Sequence, residues 1–283
     1  MSLLKILVTG AGGMLGRDVV RAFEFVNHDV VAVTHDELDI RDAGAVERLF
    51  GAERPDVVVN CAAYTNVDGA QDDLETAMAV NGDGARNVAA AAAAVDASVI
   101  FPSTDYVFDG SKSAPYLESD ETRALSVYGQ SKLAGEHETA GANPRHWVVR
   151  TSWLFGVGGR NFVETMLTLG RELGVVLVVR DQVGCPTYTG HLGDAFVQLI
   201  DADDYGIHHV AGGGACSWYE FAEEIFKQAK VECRVLSCTT EEFPRPAPRP
   251  PYSVLGTERE YAIFLPEWRE GLASYLADRA VAR

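Results

Sequence analysis

Lys5-Ile-Leu-Val-Thr9 runs directly into Gly10-Ala-Gly-Gly13-Met-Leu-Gly16, and this stretch decides the fold. The short apolar run is typical of a buried strand. Residues 17–25 repeat their apolar side chains with helical periodicity, so the glycines lie in the turn between a strand and a helix. Glycines with this spacing let the backbone approach a pyrophosphate closely, and the anion then lies on the helix N-terminus. The stretch therefore predicts a dinucleotide-binding turn.

Strands and helices continue to alternate along the first half of the chain. Strands are predicted over 29–34, 56–60, 99–102 and 146–150, and helices over 72–95 and around 128–132. This alternation is typical of a right-handed, doubly wound parallel sheet. After residue 155 the pattern changes, with helices predicted over 161–170, 191–200, 217–230 and 267–280 and extended segments over 175–179 and 206–210.

The predicted fold is therefore α/β, a Rossmann-type doubly wound parallel sheet with a smaller C-terminal α/β substrate-binding domain. We assign residues 1–155 to the dinucleotide-binding domain and residues 156–283 mainly to the substrate-binding domain. Part of 160–210 is expected to return to the Rossmann sheet.

Tyr128 and Lys132 lie four positions apart in Tyr128-Gly-Gln-Ser-Lys132, so they share one face of a helix. A cation about 4 Å from a phenol, at an effective dielectric of about 20, favours the phenolate by roughly 4 kcal/mol. That energy would lower the usual tyrosine pKa of ~10 by about 3 units. We therefore expect Tyr128 to exchange protons near neutral pH. The spacing alone also fits an ordinary surface pair, so the interpretation depends on the neighbouring segments.

Hydroxyl groups follow the fourth strand of the predicted sheet, in Ser103-Thr104. Side chains at the carboxyl end of a parallel strand face the same crevice as the glycine turn. The segment between Thr104 and Tyr128 is long enough to bring both side chains to one substrate oxygen. The three residues Thr104, Tyr128 and Lys132 are therefore the predicted catalytic group.

The ends of the second and third strands bear on the type of cofactor. Thr34-His35 occupies the place where an acidic residue would bind the adenosine ribose, and Arg17 lies just after the glycine turn, so NADPH is favoured over NADH. Asp39-Ile40 could line an adenine or form a plain loop. The small residues of Cys61-Ala-Ala63-Tyr64 could let a cofactor lie close or could simply pack tightly.

Near the C-terminus, the proline-rich stretch Phe243–Tyr252 contains two arginines and could be a diphosphate-contacting loop or a spacer.

Composition excludes several classes of function. The formal net charge of −17 argues against binding to nucleic acid, since a phosphate backbone would be repelled. No apolar run is long enough to span a membrane, and the N-terminus lacks a signal-peptide layout, so we expect a cytoplasmic protein. The five cysteines contain no C-x-x-C and the histidines no H-E-x-x-H, so no metal site is predicted. The acidic excess fits either adaptation to high salt or a GC-rich genome.

Several longer motifs carry a resemblance to a known family. They are Ser103-Thr-Asp-Tyr-Val-Phe108, Val127-Tyr-Gly-Gln-Ser-Lys-Leu-Ala-Gly-Glu136, Arg150-Thr-Ser-Trp153, Asn161-Phe162, Asp181-Gln-Val-Gly-Cys-Pro-Thr187 and Arg249-Pro-Pro-Tyr-Ser-Val-Leu255. With them the chain resembles the extended short-chain dehydrogenase/reductases, and within that family the enzymes that reduce a keto group on a nucleotide sugar. The resemblance spans nearly the whole chain.

The resemblance also implies roles for individual residues. It makes Tyr128 the general acid, Lys132 its pKa modulator and a ribose contact, and Thr104 the hydroxyl that holds the substrate carbonyl. The cofactor-binding residues implied are Gly10, Gly13, Met14, Leu15, Gly16, Asp39, Ile40, Ala62, Ala63, Tyr64, Tyr128 and Lys132. The substrate-binding residues implied are Thr104, Asp105, Tyr106, Trp153 and Arg249. Met14 stands where the family often carries glutamine.

The reaction implied is NADPH- or NADH-dependent reduction of the 4-keto group of a dTDP-linked 6-deoxy-hexulose, giving dTDP-L-rhamnose. The expected partners are this nucleotide sugar and, in a homodimer, a second copy of the chain. A 4,6-dehydratase of the same family needs Thr-Asp-Glu, whereas Tyr106 follows Thr104-Asp105 here. The alternatives are another sugar-nucleotide epimerase or reductase, and a non-catalytic NAD(P)-binding regulatory subunit like the β subunit of methionine adenosyltransferase.

Overall fold

A computed structural model of the chain describes residues 3–202 and 204–281. Its strands are β1 (Lys5–Thr9), β2 (Asp29–Val33), β3 (Val57–Asn60), β4 (Ser98–Thr104), β5 (His146–Thr151), β6 (Leu154–Phe155), β7 (Val175–Val179), β8 (Val183–Gly184), β9 (Thr187–Tyr188), β10 (Gly206–His209), β11 (Cys216–Ser217) and β12 (Arg234–Cys238). Its α-helices are α1 (Met14–Phe25), α2 (Ala43–Glu53), α3 (Leu74–Met78), α4 (Gly84–Ala94), α5 (Val127–Ala142), α6 (Phe162–Leu173), α7 (Thr189–Leu199), α8 (Trp218–Ala229) and α9 (Trp268–Val281).

Within the described residues, six strands form one sheet in the order β10-β5-β4-β3-β1-β2, and every neighbouring pair is parallel. The prediction of a doubly wound parallel sheet is confirmed. The chain leaves β1 in one direction to form β2 and later crosses to the other side to form β3. The carboxyl ends of β1 and β3 therefore flank the point where the strand order reverses, which is where ligands bind in open α/β sheets.

Both faces of this sheet are covered by helices. Successive residues of β1 point to opposite sides, so Ile6 and Val8 pack with α1 and α7, while Leu7 packs with α2 and α4. Burial on both faces explains why the strands read as continuous apolar runs.

A separate apolar core lies between α6, α8 and α9, against the parallel pair β7 and β12. The predicted extended segment near 206–210 is β10, at the edge of the main sheet. The division of the chain into two domains at residue 155 stays a prediction.

Three local features differ from the sequence analysis. Helix α2 fills the segment between β2 and β3, for which no helix is predicted; the Asp42 carboxylate caps it by accepting from the Ala45 backbone N–H at 2.9 Å. The helix predicted over 72–95 is interrupted by a π-helical turn at Ala79–Asp83, and strand β12 is not predicted. No helix of the described part of the chain is long and apolar enough to cross a membrane.

Candidate active site

A cleft of about 510 Å³ opens at the carboxyl ends of β1, β3, β4 and β5. Its lining residues are Gly13, Met14, Leu15, Gly16, Asn60, Cys61, Ala63, Thr65, Val67, Pro102, Ser103, Thr104, Asp105, Tyr106, Tyr128, Lys132, Thr151, Ser152, Trp153, Leu154, Gly159, Arg160 and Trp218. The set joins the glycine turn to the predicted catalytic residues. It also includes Trp218, which comes from the C-terminal half of the chain and is not predicted from the sequence.

The glycine turn has the geometry that a dinucleotide requires. Gly10 has φ +63°, and a Cβ at that position would lie 2.6 Å from the backbone nitrogen of Ala62. A Cβ on Gly16 would collide with the carbonyl oxygen of Gly10 and lie 2.8 Å from the Cα of Ala11. Since only glycine fits, the turn stays tight and brings the N-terminus of α1 to the cleft. These residues fit the pyrophosphate of a nicotinamide dinucleotide.

Helix α5 begins at the cleft and places Tyr128 in its first turn. Ser126 caps the helix by accepting a hydrogen bond from the Gly129 backbone N–H at 3.1 Å. The side chain of Gln71 accepts from the Val127 N–H at 2.7 Å, which satisfies another free donor of that turn. The start of the helix is therefore fixed at the residue before Tyr128.

The pKa expected for Tyr128 is wrong. Burial raises the pKa of the phenol to about 12, the nearby Asp105 carboxylate raises it as well, and a hydrogen bond with Thr104 opposes them. The assumption that a charge on Lys132 dominates neglects the loss of solvation, which is the largest influence on the pKa of Tyr128. Tyr128 is thus held as a protonated phenol at neutral pH, which is the form that a general acid needs.

Lys132 lies one helical turn further along α5 and is buried, with 4% of its surface exposed. Its ammonium lies 4.1 Å from the centroid of the Phe101 ring. Burial lowers the pKa of Lys132 to about 8, while the charges of Glu136 and Cys61 raise it. The amine therefore remains mostly protonated at neutral pH.

Thr104 ends β4 and is buried beside Asp105. Its hydroxyl donates to Asp105 Oδ1 at 3.1 Å and accepts from the Tyr106 N–H at 3.2 Å. Asp105 Oδ2 accepts from the Ser253 hydroxyl at 2.5 Å. Burial raises the pKa of Asp105 to about 7, and the hydrogen bonds from Ser253 and Thr104 oppose that shift. Thr104, Asp105 and Tyr106 all line the cleft near Tyr128.

The predicted adenosine-side residues are spread over a longer surface. Ala63 lines the cleft, and both backbone groups of Tyr64 bond to the side chain of Asn81 in the π-helical turn, at 2.9 and 3.0 Å. Asn81 also donates to Ser131 on α5 at 2.9 Å, so it ties this loop to the helix of Tyr128. π-Helical turns often occur at functional sites, but no local pattern in the sequence indicates this one.

Neither Asp39 nor Ile40 is among the residues that line the cleft. Ile40 is buried in the core against Gly84 of α4. Asp39 pairs with Arg41 at 2.6 Å, and the hydrogen bonds from Arg41 lower the pKa of Asp39 to about 2. A role for these two residues, and for the half-buried loop residue Ala62, in binding adenosine stays a prediction.

Trp153 lies at the mouth of the cleft with φ +49°, a left-handed conformation that is strained for a bulky residue. Its ring stacks on Trp218 of α8, with centroids 3.5 Å apart and planes 4° from parallel. Gly184 packs against the same indole, where a Cβ would lie 2.6 Å from the ring. The stack forms an apolar wall suited to the face of a sugar ring.

Arg249 faces a neighbouring cavity of about 450 Å³ formed by the proline-rich stretch and residues 181–182. It donates to Asp68 Oδ1 at 2.9 Å, and Arg245 donates to Asp68 Oδ2. Asp68 also accepts from the Ala247 N–H at 3.1 Å. Arg249 also lies near Tyr106 of the cleft: burial raises the pKa of the Tyr106 phenol, and the charge of Arg249 opposes that shift. The Asp68 contacts explain why Arg249 lies beside the cleft and does not line it.

Comparisons with known proteins agree with this geometry. The sequence profile of the family described as RmlD substrate binding domain matches residues 4–281. The dTDP-4-dehydrorhamnose reductase of Mycolicibacterium smegmatis is 44% identical over 280 residues, which cover 96% of this chain and 85% of the relative.

Two further matches extend along the whole chain. A probable dTDP-4,6-dihydroxy-2-methyloxan-3-one 4-ketoreductase of Streptomyces antibioticus is 40% identical over 281 residues, or 97% of this chain and 95% of the relative. A crystal structure of the dTDP-4-dehydrorhamnose reductase of Bacillus anthracis in complex with NADP has a TM-score of 0.95 and 38% identity. It covers 98% of this chain and 100% of that one.

Proposed function

This chain belongs to the RmlD substrate binding domain family, and we propose that it is an NAD(P)H-dependent oxidoreductase of nucleotide-sugar biosynthesis. Its reaction is the reduction of the 4-keto group of dTDP-4-dehydro-6-deoxy-L-mannose to dTDP-L-rhamnose. One observation carries the proposal: Thr104, Tyr128 and Lys132 line the same cleft as the glycine turn. Relatives that are reductases over the full length of the chain support it.

The roles of the side chains follow from their protonation. When bound, the dihydronicotinamide supplies a hydride to C4 of the sugar. Tyr128 donates its proton to the oxygen on C4, where negative charge develops. Because burial and Asp105 hold the pKa of Tyr128 at about 12, the proton is present at neutral pH. Thr104 hydrogen-bonds the same oxygen, and the Lys132 ammonium stabilises the phenolate that remains.

The residues around this group favour reduction over dehydration. A dehydratase of this superfamily needs a second acid next to the aspartate, and Tyr106 occupies that place. Tyr106 instead forms an aromatic edge contact with Tyr128, with ring centroids 6.2 Å apart. The stacked Trp153 and Trp218 supply the apolar surface for the deoxy sugar.

NADPH is the cofactor that we propose, since Arg17 follows the glycine turn and the Bacillus anthracis reductase crystallised with NADP. NADH remains the comparison in the assay. We further propose that the enzyme acts in the cytoplasm as a homodimer, on a nucleotide sugar and not on nucleic acid.

The test is oxidation of NADPH and NADH by the purified protein with dTDP-4-dehydro-6-deoxy-L-mannose, with the product identified by mass spectrometry and NMR. We expect dTDP-L-rhamnose and one NADPH oxidised for each sugar. The keto sugar of the Streptomyces antibioticus relative is the comparison substrate. Interconversion of sugars without net oxidation would indicate an epimerase. NADPH binding without turnover of either sugar would indicate a regulatory subunit.

A further inference from the structure

A buried ion pair lies one helical turn beyond Lys132. Glu136 of α5 and Arg150 of β5 are each 3% exposed, and three hydrogen bonds of 2.7 to 3.2 Å join the guanidinium to the carboxylate. Tyr128, Lys132 and Glu136 are spaced four residues apart, so they form one row along the buried face of α5. The proposed mechanism uses the first two members of this row and leaves Glu136 without a role.

The carboxylate of Glu136 also binds the strand next to β5. The Ser103 hydroxyl donates to Glu136 Oε1 at 2.5 Å. Ser103 and Arg150 are direct partners in the β4–β5 register, as are Thr104 and Thr151 one residue further on. Glu136 therefore fixes α5 to both strands immediately beneath Thr104. We call Glu136, Arg150 and Ser103 the clamp.

Stability alone does not account for such a pair. Removing two charges from water is costly, and replacing a buried ion pair by apolar residues of similar volume is often neutral or stabilising. The contacts of the clamp are strongly directional, however. A bidentate guanidinium and a short hydroxyl bond define the height of α5 over the sheet more narrowly than apolar packing does.

Three further segments contribute contacts to the clamp, two through polar groups and one through an aromatic ring. Arg150 Nη1 lies 3.5 Å from His209 Nε2 of β10 and from the carbonyl oxygen of Glu118. The Glu118 carboxylate accepts from the His209 backbone N–H at 3.0 Å. The Arg150 guanidinium also lies over the Phe108 ring, 5.2 Å from its centroid.

On the side of Lys132, the charged or titratable groups are Glu136, Cys61 and Tyr128. Of these groups, Glu136 does most to raise the pKa of Lys132 against the effect of burial.

We propose that the clamp is a positioning device for Lys132: it holds α5 at the height that brings the ammonium and Tyr128 to Thr104, and Glu136 keeps the ammonium charged. The proposal rests on the proposed function for its effect on turnover. Its effect on the charge of Lys132 is independent of any sugar substrate.

The test is the double variant Glu136→Leu with Arg150→Met, which removes both charges together and leaves neither uncompensated. Its melting temperature should stay within about 4 °C of the parent. Its kcat should fall by about 10- to 100-fold, since small displacements of catalytic groups have effects of that size. The KM for the sugar should change little, because the clamp does not touch the wall formed by Trp153 and Trp218.

The second readout is NADPH binding followed by fluorescence across pH, which needs no turnover. Lys132 should lose its proton near pH 8 in the parent, so binding weakens above that value. Removing Glu136 lowers the pKa of Lys132 further, so the weakening should begin at a lower pH than in the parent. If the parent binds NADPH but reduces neither sugar, the proposed function fails. The pH dependence of NADPH binding would still show whether the clamp acts on Lys132.

Two variants separate positioning from stability. Arg150→Lys keeps the charge but loses the fork, so the pH of weakening should return to the parent value while kcat stays low. Glu164→Gln is the control for a lost ion pair elsewhere in the fold. Glu164 also pairs with an arginine, Arg279 on α9, whose Nη2 donates to Glu164 Oε2 at 2.8 Å. This variant should lower the melting temperature without changing the pH dependence of NADPH binding. A double variant with parental kcat and a parental pH profile would overturn the proposal.

Discussion

The floor and the rim of the cleft are built in different ways. The floor consists of Thr104 and Lys132, which are 6% and 4% exposed and belong to a strand and a helix of the main sheet. The rim consists of the Trp153–Trp218 stack and, beside the cleft, Arg249 of the proline-rich stretch. The C-terminal half of the chain contributes all three residues. We propose that the floor carries the chemistry and that the rim recognises the sugar. On that proposal, changes in the floor should affect kcat and cofactor binding, and changes in the rim should affect the KM for the sugar.

Apart from the loss of the general acid, the largest effect is expected from Gly16→Ala, in the glycine turn beside the floor. A Cβ at this position meets the backbone of Gly10 and Ala11, which cannot move aside as a side chain could. Overpacking costs of about 1–3 kcal/mol should appear as loss of cofactor affinity, which is about 5- to 150-fold in the NADPH dissociation constant measured by fluorescence titration.

The control for this variant is Gly51→Ala on α2, where a Cβ would meet no atom within 4 Å. It should leave NADPH affinity unchanged and raise the melting temperature slightly, since alanine has the higher helix propensity. Equal NADPH affinity in Gly16→Ala and the parent would contradict the assignment of the glycine turn to the cofactor.

On the rim, Arg249→Gln should raise the KM for the nucleotide sugar about 10-fold and leave kcat nearly unchanged. The reason is that a charged hydrogen bond to the diphosphate would be lost equally from the ground state and the transition state. Steady-state kinetics with the sugar varied at saturating NADPH measure the effect.

Arg145→Gln is the matched control, because Arg145 lies at the amino end of β5, opposite the cleft, and pairs there with Asp96 at 2.7 Å. It should leave KM unchanged. An unaltered KM in Arg249→Gln would mean that Asp68 keeps this arginine away from the substrate and that the rim does not include it.

A smaller effect is expected from Trp218→Ala. Removing the partner of Trp153 should raise the KM for the sugar by about 3- to 10-fold, which corresponds to an aromatic pair of about 0.5–1.5 kcal/mol. The neighbouring Tyr219→Phe, which loses only a hydroxyl bonded to Glu223, serves as the control. A fall in kcat with an unchanged KM would contradict this role and would mean that Trp218 acts on the chemical step, as the floor residues do.

The same contrast explains how far the sequence alone could predict the site. The glycine turn and the Tyr128–Lys132 pair are local patterns, because the residues that act together are close in the chain and share one element. Their association with Thr104 follows from the rule that carboxyl ends of parallel strands meet at one edge.

The rim could not be predicted in this way. Asp68 and Arg249 are separated by 181 residues, and no periodicity connects them. Trp218 is an ordinary residue at the start of an amphipathic helix until the fold brings it onto Trp153. The expected low pKa of Tyr128 was wrong for a related reason, since burial and the charge of Asp105 depend on the packed structure.

The measurement that tests the central claim most directly is kcat/KM for Tyr128→Phe with NADPH and dTDP-4-dehydro-6-deoxy-L-mannose. The substitution keeps the ring and removes the proton that the phenol donates. We expect a loss of about 10²- to 10⁴-fold with NADPH affinity close to that of the parent. Activity equal to that of the parent would contradict the assignment of Tyr128 as the general acid.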